Sequence, residues 1–437
     1  MCHHLKIMAP RTKPTTKTNL EDLPVWPEQV IGGKFVPILQ QQLDELRRRD
    51  DSTHGNRQLF LDDVFVAYLL AFFNPTIRSL RTLEDFSQTR QVQKHLSIAK
   101  LCRSTFSDFN RLADPERLAP LLNALREQLG RKEAGTKQAG DTLSQLLKQT
   151  IAVDGTFLPA VAEVTWAVHC NNQQQTRRWR ARLDVHLAVD SWVPELIVVP
   201  DAGQSESDSA AAQVQAGRLY LYDRGFSAYE LINAHYQWQD NQKQPKSQFV
   251  IRYKPAGGNA PTLVETQARA LREEDRAAGV SSDQVGRFRS SNSSRHNILD
   301  VELREVLIEY TDQGERKVLR LITNLLDVPA AVIAQLYKYR WQIEMFFRWL
   351  KCFGNFNHLI SHQREGVLLH FYVAVIATML MYLHTGYRPS KYLFVLLGQV
   401  ATGSATWDEI LPILRERERQ RDLERQSAAK RRAKKKS

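Results

Sequence analysis

From Gln149 to Tyr253 the chain alternates short, β-branched or apolar runs with segments of helical character. Thr150–Val153, Trp179–Val189 and Val193–Val199 have the length and composition of strands. Gly203–Gly217, polar and then alanine-rich, suits a helix. Leu219–Tyr222 reads as a short strand, Ser227–His235 as a helix and Gln248–Tyr253 as a strand. Three strands followed by helix, strand, helix and strand match a layered α/β domain.

The flanking segments have a different texture. Residues 28–148 read as helical, with 3.6-type apolar spacing in Phe35–Arg48 and Leu59–Phe73 and breaks at Asn74-Pro75 and Asp114-Pro115. Ser97–Phe106 has the pattern of a helix-turn-helix piece, which ordinary helical bundles share. Residues 259–323 interrupt the α/β alternation with candidate strands at Val285–Arg289, Val301–Tyr310 and Lys317–Thr323. The last two flank a hairpin turn, Thr311–Glu315, that contains Gly314. From Val328 the chain turns helical again, over Pro329–Cys352, Gly366–His384 and Trp407–Arg425. Val367–Leu383 is about the minimum spanning length, but His370 interrupts it, and it reads as a buried core helix.

Composition narrows the function classes. With 43% hydrophobic and 9% aromatic residues the chain is globular rather than disordered. Four scattered cysteines without a CxxC pair specify neither a zinc finger nor a disulfide framework, and a reducing, cytoplasmic compartment is expected. The formal charge of +12 points to a polyanion. That charge is unevenly placed. The first twenty residues hold four bases and no acids, and residues 415–437 hold eleven bases and four acids, which leaves +1 for residues 21–414. Such ends read either as solvated tails or as arms for sequence-independent phosphate contact.

Two acids stand out. Asp154 follows the apolar run Ile-Ala-Val, and Asp223 follows Leu-Tyr-Leu-Tyr, each with a glycine close behind. A carboxylate at the end of a buried strand is costly unless it is paired or metal-bound, although Asp-Gly is also a common turn dipeptide. Two such acids on one sheet are a usual oxygen supply for Mg²⁺. A third element lies in the helical stretch LYKYRWQIEMFFRWLK. In one continuous helix Tyr337, Arg340, Glu344 and Lys351 would fall within an arc of about 60° along about 21 Å. Beside that stripe lies an apolar face of Leu336, Tyr339, Ile343, Phe346, Phe347 and Leu350. The plainer reading of the stripe is a solvated face tied by an Arg340–Glu344 pair.

The spacing Y-x2-R-x3-E-x6-K at Tyr337, Arg340, Glu344 and Lys351 resembles the signature of DDE transposases of the insertion-sequence-four family. Asp154 in Val-Asp-Gly-Thr and Asp223 in Asp-Arg-Gly-Phe sit where that family carries its first two acids, and the likeness covers residues 90–385. The resemblance implies an α/β catalytic core, a ribonuclease H-like mixed sheet with flanking helices, over 149–258 and 324–386. It also implies a β-rich insertion over 259–323. Around these, the sequence gives a basic arm at 1–27, a helical DNA-binding region at 28–148 and a helical C-terminal region with a basic tail at 387–437. The resemblance further implies catalytic and metal-binding roles for Asp154, Asp223 and Glu344. Two Mg²⁺ ions are expected, with Mn²⁺ able to substitute, and DNA phosphates are assigned to Tyr337, Arg340 and Lys351. The expected partners are double-stranded DNA, as transposon ends and target, and a second copy of the chain, with no membrane. Alternatives are a nuclease on the same core that does not join strands and a DNA-binding protein with a retired core. A base flipped at the transposon end would need an aromatic stack, for which Trp341, Trp349, Trp238 and Phe288 are candidates.

Overall fold

The computed structural model describes residues 32–49, 59–74, 76–98, 100–134, 142–159, 168–170, 177–201, 203–239, 242–254, 261–289, 298–312, 314–353, 360–386, 391–401 and 403–434. The basic arm expected at 1–27 lies outside them. Seven helices come first: α1 (Gln40–Arg49), α2 (Leu61–Phe73), α3 (Leu80–Ser87), α4 (Arg90–Gln93), α5 (Arg103–Leu112), α6 (Ala119–Ala134) and α7 (Thr142–Lys148). Residues 97, 98 and 100–102, expected within a helix-turn-helix piece, lie in the connection between α4 and α5 instead. That connection is longer than the three or four residues such a motif allows.

The sheet begins with β1 (Thr150–Pro159), β2 (Val168–Cys170), β3 (Arg177–Ala188) and β4 (Val193–Val198). After α8 (Glu206–Ala212) come β5 (Leu219–Tyr222), α9 (Tyr229–Ala234), a small hairpin of β6 (Tyr236–Gln239) and β7 (Gln242–Pro245), and β8 (Gln248–Tyr253). β1, β5 and β8 run parallel to one another, and β3 lies antiparallel to β1 and to β4. Central parallel strands are covered on both faces, so they need unbroken apolar runs. β5, Leu-Tyr-Leu-Tyr, is buried at every position. Leu219 and Leu221 enter one core, and Tyr220 and Tyr222 enter the other.

The expected β-rich insertion does not build a sheet of its own. β9 (Thr262–Ala268), α10 (Glu273–Ala277), β10 (Val280–Arg289), β11 (Ile298–Asp312) and β12 (Glu315–Thr323) follow, and their strands continue the central sheet. Its order is β2-β3-β1-β5-β8-β12-β11-β10-β9, with β4 also paired to β3. The junction is the antiparallel pairing of β12 with β8. The extension also fixes what comes next. Arg304 forks onto Asp283 at 2.8 and 2.7 Å and donates to the Leu325 carbonyl at 3.0 Å. Asp275 accepts from Ala331 N–H at 2.8 Å, at the start of α11 (Ala330–Lys338).

α12 (Trp341–Phe353), α13 (Arg364–Thr385), α14 (Lys391–Ala401) and α15 (Trp407–Lys434) complete the described chain. α13 is apolar all round, as a central helix must be. Its most apolar window is 83% buried. It packs on α2, α5 and α6, so that one core runs from the N-terminal helices to one face of the sheet. α15 carries the helix beyond Arg425 to Lys434, so most of the basic tail is helical.

Candidate active site

β1 and β5 pair in parallel from Thr150/Leu219 to Val153/Tyr222, and the next residue of each strand is an aspartate. Asp154 and Asp223 therefore stand at one level on neighbouring strands, whose axes are about 4.8 Å apart. Asp154 is not at a strand end, as its sequence context suggested. β1 continues to Pro159 against β3 alone, which leaves a notch beside it where β5 has stopped. Side chains alternate faces along a strand. Asp154 shares the face of Ala152, and that face packs against α12.

Asp154 accepts from the Gly155 N–H at 2.9 Å. Burial pushes its carboxyl up to about 7. The Gly155 bond and Arg340 oppose that rise, and the charges of Glu206 and Asp223 add to it. Asp223 occupies the N-cap position of the short turn Arg224–Phe226, yet its side chain makes no cap bond. An N-cap aspartate ordinarily accepts from the first turn. Asp223 Oδ1 is instead buried with no hydrogen-bond donor, 3.7 Å from Arg252 Nη1.

The helical signature is bent rather than straight. Residues 339–340 form a turn between α11 and α12, closed by bonds from Arg340 N–H to the Tyr337 carbonyl at 3.1 Å and from Ile343 N–H to the Arg340 carbonyl at 3.2 Å. The arc drawn for one continuous helix therefore does not apply. Tyr337 lies on α11, and Glu344 and Lys351 lie on α12. The Tyr337 phenol is buried and donates to the Tyr222 carbonyl at 3.2 Å, so its hydrogen is held beside Asp223 and is not free for a phosphate. Burial raises its pKa well above the ordinary value. Arg340 Nη2 pairs with Glu344 Oε1, and Nη1 lies 3.9 Å from Asp154 Oδ2. The i, i+4 pair of the plainer reading is thus present, but it is not solvated, because the Arg340 side chain is only 7% exposed. Lys351 lies on α12, and its side chain is outside what the structure describes.

Asp154, Asp223 and Glu344 are thus gathered around Arg340. Among the described residues, no three histidine, cysteine or acidic side chains form a ready-made metal cage. Two neighbours were not singled out from sequence. Arg252, on β8, faces Asp223, and the Glu206 carboxylate approaches Gly155 from the opposite side of β1. A Ser-x-x-Asp pattern could have drawn attention to Glu206. Ser205 caps α8 by accepting from Asp208 N–H at 3.0 Å, and Glu206 is the first residue inside the cap. Of the candidate aromatic stacks, Phe288 is wholly buried, while Trp341 is 51% and Trp238 70% exposed. Trp349's side chain is not described. His186 is buried, which pushes its pKa down to about 4, so it is a neutral strand histidine.

Residues 145–380 match the family described as "Transposase DDE domain". The putative transposase y4zB of Sinorhizobium fredii is 27% identical over 253 residues, 58% of this chain and 64% of that protein. The probable transposase for insertion sequence element IS5377 of Geobacillus stearothermophilus is 30% identical over 211 residues, 46% of this chain and 49% of that protein. The chain therefore spans less than two thirds of the length of these relatives. Among solved structures, a cryo-EM structure of the piggyBac transposase synaptic complex with hairpin DNA aligns at a TM-score of 0.34 and 10% identity. It covers 85% of this chain and 82% of that one. The family match takes in more than half of the chain, including Asp154, Asp223 and Glu344, and on that ground the chain belongs to the transposase DDE domain family.

Proposed function

We propose that the chain is a transposase of the insertion-sequence-four type, cutting and joining DNA at the ends of its own element. Asp154, Asp223 and Glu344 act as the acids of a divalent-metal site on a ribonuclease H-like core. The observation that carries this reading is the common level of Asp154 and Asp223 on adjacent parallel strands, under a helix whose Arg340 links Glu344 to Asp154.

The residues fit a divalent cation in kind. Every donor is a carboxylate oxygen, which suits Mg²⁺ or Mn²⁺. Asp223 Oδ1 is buried without a hydrogen bond, and Asp154 is held up partly by the charges beside it. Asp154, Asp223 and Glu344 would hold two such ions. When bound, the metal supplies Lewis acidity to the attacking and leaving oxygens of an in-line displacement at phosphorus. The chain's own groups orient the substrate. Arg340 offers a planar fork for a phosphate and Lys351 a point charge. Tyr337, whose hydroxyl is spent on the Tyr222 carbonyl, positions the backbone that precedes Asp223 and does not itself bind a phosphate. A homodimer follows from the need to hold two transposon ends together.

The test is a duplex carrying the inverted repeat that flanks this reading frame, incubated with Mg²⁺. Asp154→Ala is expected to abolish cleavage and leave end binding intact. Full cleavage by that variant refutes the assignment. Cleavage without joined products in the wild type favours the nuclease reading.

A further inference from the structure

We propose that Glu206 is a fourth carboxylate of this site, holding the divalent cation together with Asp154 and Asp223. The inference rests on the metal-site reading above and adds a residue that lies outside its three acids.

The argument begins with two glycines. A Cβ built at Gly155 would stand 2.6 Å from Glu206 Oε1, and one built at Gly225 would stand 3.4 Å from Glu206 Oε2. Gly155 follows Asp154 directly, and Gly225 lies two residues after Asp223. The Glu206 carboxylate is therefore wedged between the backbones that carry the two aspartates. It fills space that any side chain at position 155 would take. β5 ends at Tyr222 while β1 runs on to Pro159, so among the described residues no strand separates the two faces of the sheet beside β1 at this level. Asp154 borders the resulting notch from the α12 side, and Glu206 enters it from the α8 side.

The backbone that presents Glu206 is fixed. Arg182 forks onto Asp184 at 2.9 and 3.1 Å. Its outer nitrogens donate to the Gln204 carbonyl and, at 3.3 Å, to the Ser205 carbonyl. Four of the five Arg182 donors are thereby used, and among the described residues the Glu206 carboxylate accepts no hydrogen bond. A partly buried carboxylate that accepts no hydrogen bond, with the charges of Asp184 and Asp223 beside it and only the already bonded Arg182 to offset them, is unfavourable unless a further cation joins it. Asp223 Oδ1 is also buried without a hydrogen bond, its one cationic neighbour among the described residues being the Arg252 guanidinium at 3.7 Å, which leaves it room for a cation ligand.

The test uses the whole chain and Mn²⁺ as the probe, with bound ion counted by electron paramagnetic resonance at neutral pH. Glu206→Gln keeps the shape and removes the charge, and it should weaken Mn²⁺ binding at least tenfold. Glu206→Asp should recover part of the loss. Asp208→Asn removes an equal charge from the exposed side of the same helix and should change the affinity by less than threefold. Wild-type affinity in Glu206→Gln, with binding lost in Asp154→Asn, overturns the role of Glu206 and leaves the three-acid reading standing. An equal loss in Asp208→Asn also overturns it, since the effect would then be one of distant charge. Wild-type affinity in Asp154→Asn overturns both readings.

Discussion

Replacing Asp154 by asparagine should stabilise the protein in the absence of divalent ions, and more so as the pH rises. The carboxyl rises from 3.8 to about 7, chiefly through burial, with Glu206 and Asp223 adding to the rise. A raised folded-state value means that the folded chain holds the proton more tightly than the unfolded chain. Stability linked to this proton is full below about 4 and is lost as the pH climbs through 7. Three tenfold steps at about 1.4 kcal/mol each set a ceiling of about 4 kcal/mol. The Asp154 side chain is 22% exposed, and water and local relaxation reduce the figure to about 2 kcal/mol. Asparagine keeps the oxygen that accepts from Gly155 N–H and removes the charge. Urea unfolding followed by tryptophan fluorescence in chelator, at pH 5 and pH 8, gives the comparison. The variant should exceed the wild type by somewhat under about 1 kcal/mol at pH 5, where about a third of the linked stability is already lost, and by about 2 kcal/mol at pH 8. Parallel profiles would show that Asp154 is ionised at no cost, and the electrostatic account of the site would fail.

Other expectations concern the framework. Tyr337→Phe removes the bond to the Tyr222 carbonyl and should cost about 1 kcal/mol in urea unfolding, and a larger change would mean that the phenol supports more than that strand end. Asp275→Ala leaves the N–H groups of Arg272 and Ala331 without their acceptor and should cost about 1–2 kcal/mol. Phe371→Ala opens a cavity in the wholly buried centre of α13 and should cost about 3–5 kcal/mol by the same measurement. Truncation after Leu414 should lower affinity for specific and random duplex DNA alike and flatten the salt dependence. A loss confined to the element's own end would refute a nonspecific role for that helix.

Much of the central sheet was legible because its strands obey a strict burial rule. β5 and β8 are flanked by strands and covered on both faces, so their sequences are nearly continuous apolar runs. β6, β7 and β9 are exposed edges with polar sequences such as Gln-Lys-Gln-Pro, and nothing in their pattern separates them from loops. The turn at 339–340 contains neither glycine nor proline, and apolar periodicity runs through it unbroken. What bends the chain there is tertiary: Tyr337 is tied to the end of β5 and Arg340 to Glu344. The positions of Asp154 and Asp223 were readable because each ends an apolar run. Glu206 was not, because its place depends on the absence of side chains at Gly155 and Gly225, which are remote from it in sequence.

The local charge balance bears on how DNA could enter at all. Among the described side chains, five carboxylates, Asp154, Asp184, Glu206, Asp223 and Glu344, stand around the notch against three guanidiniums, Arg182, Arg252 and Arg340. Each guanidinium already has a carboxylate within 4 Å. With every acid ionised the set carries a net charge of about −2, which repels a phosphodiester. The +12 of the whole chain cannot correct this, because exposed charges are screened beyond about 8 Å at physiological salt. Proton uptake by Asp154 removes only one of the two excess charges. One divalent cation would bring the set to neutrality and a second to about +2, enough to receive a phosphate and the charge that builds on it during displacement. On the proposed reading, the pair of metals therefore helps the scissile phosphate settle in the notch as well as react, while contacts away from the notch hold the transposon end. Removing a carboxylate should then raise the affinity for DNA in chelator even as it lowers the affinity for the metal. A variant such as Glu206→Gln that lost both would mean that the site does not work through this balance.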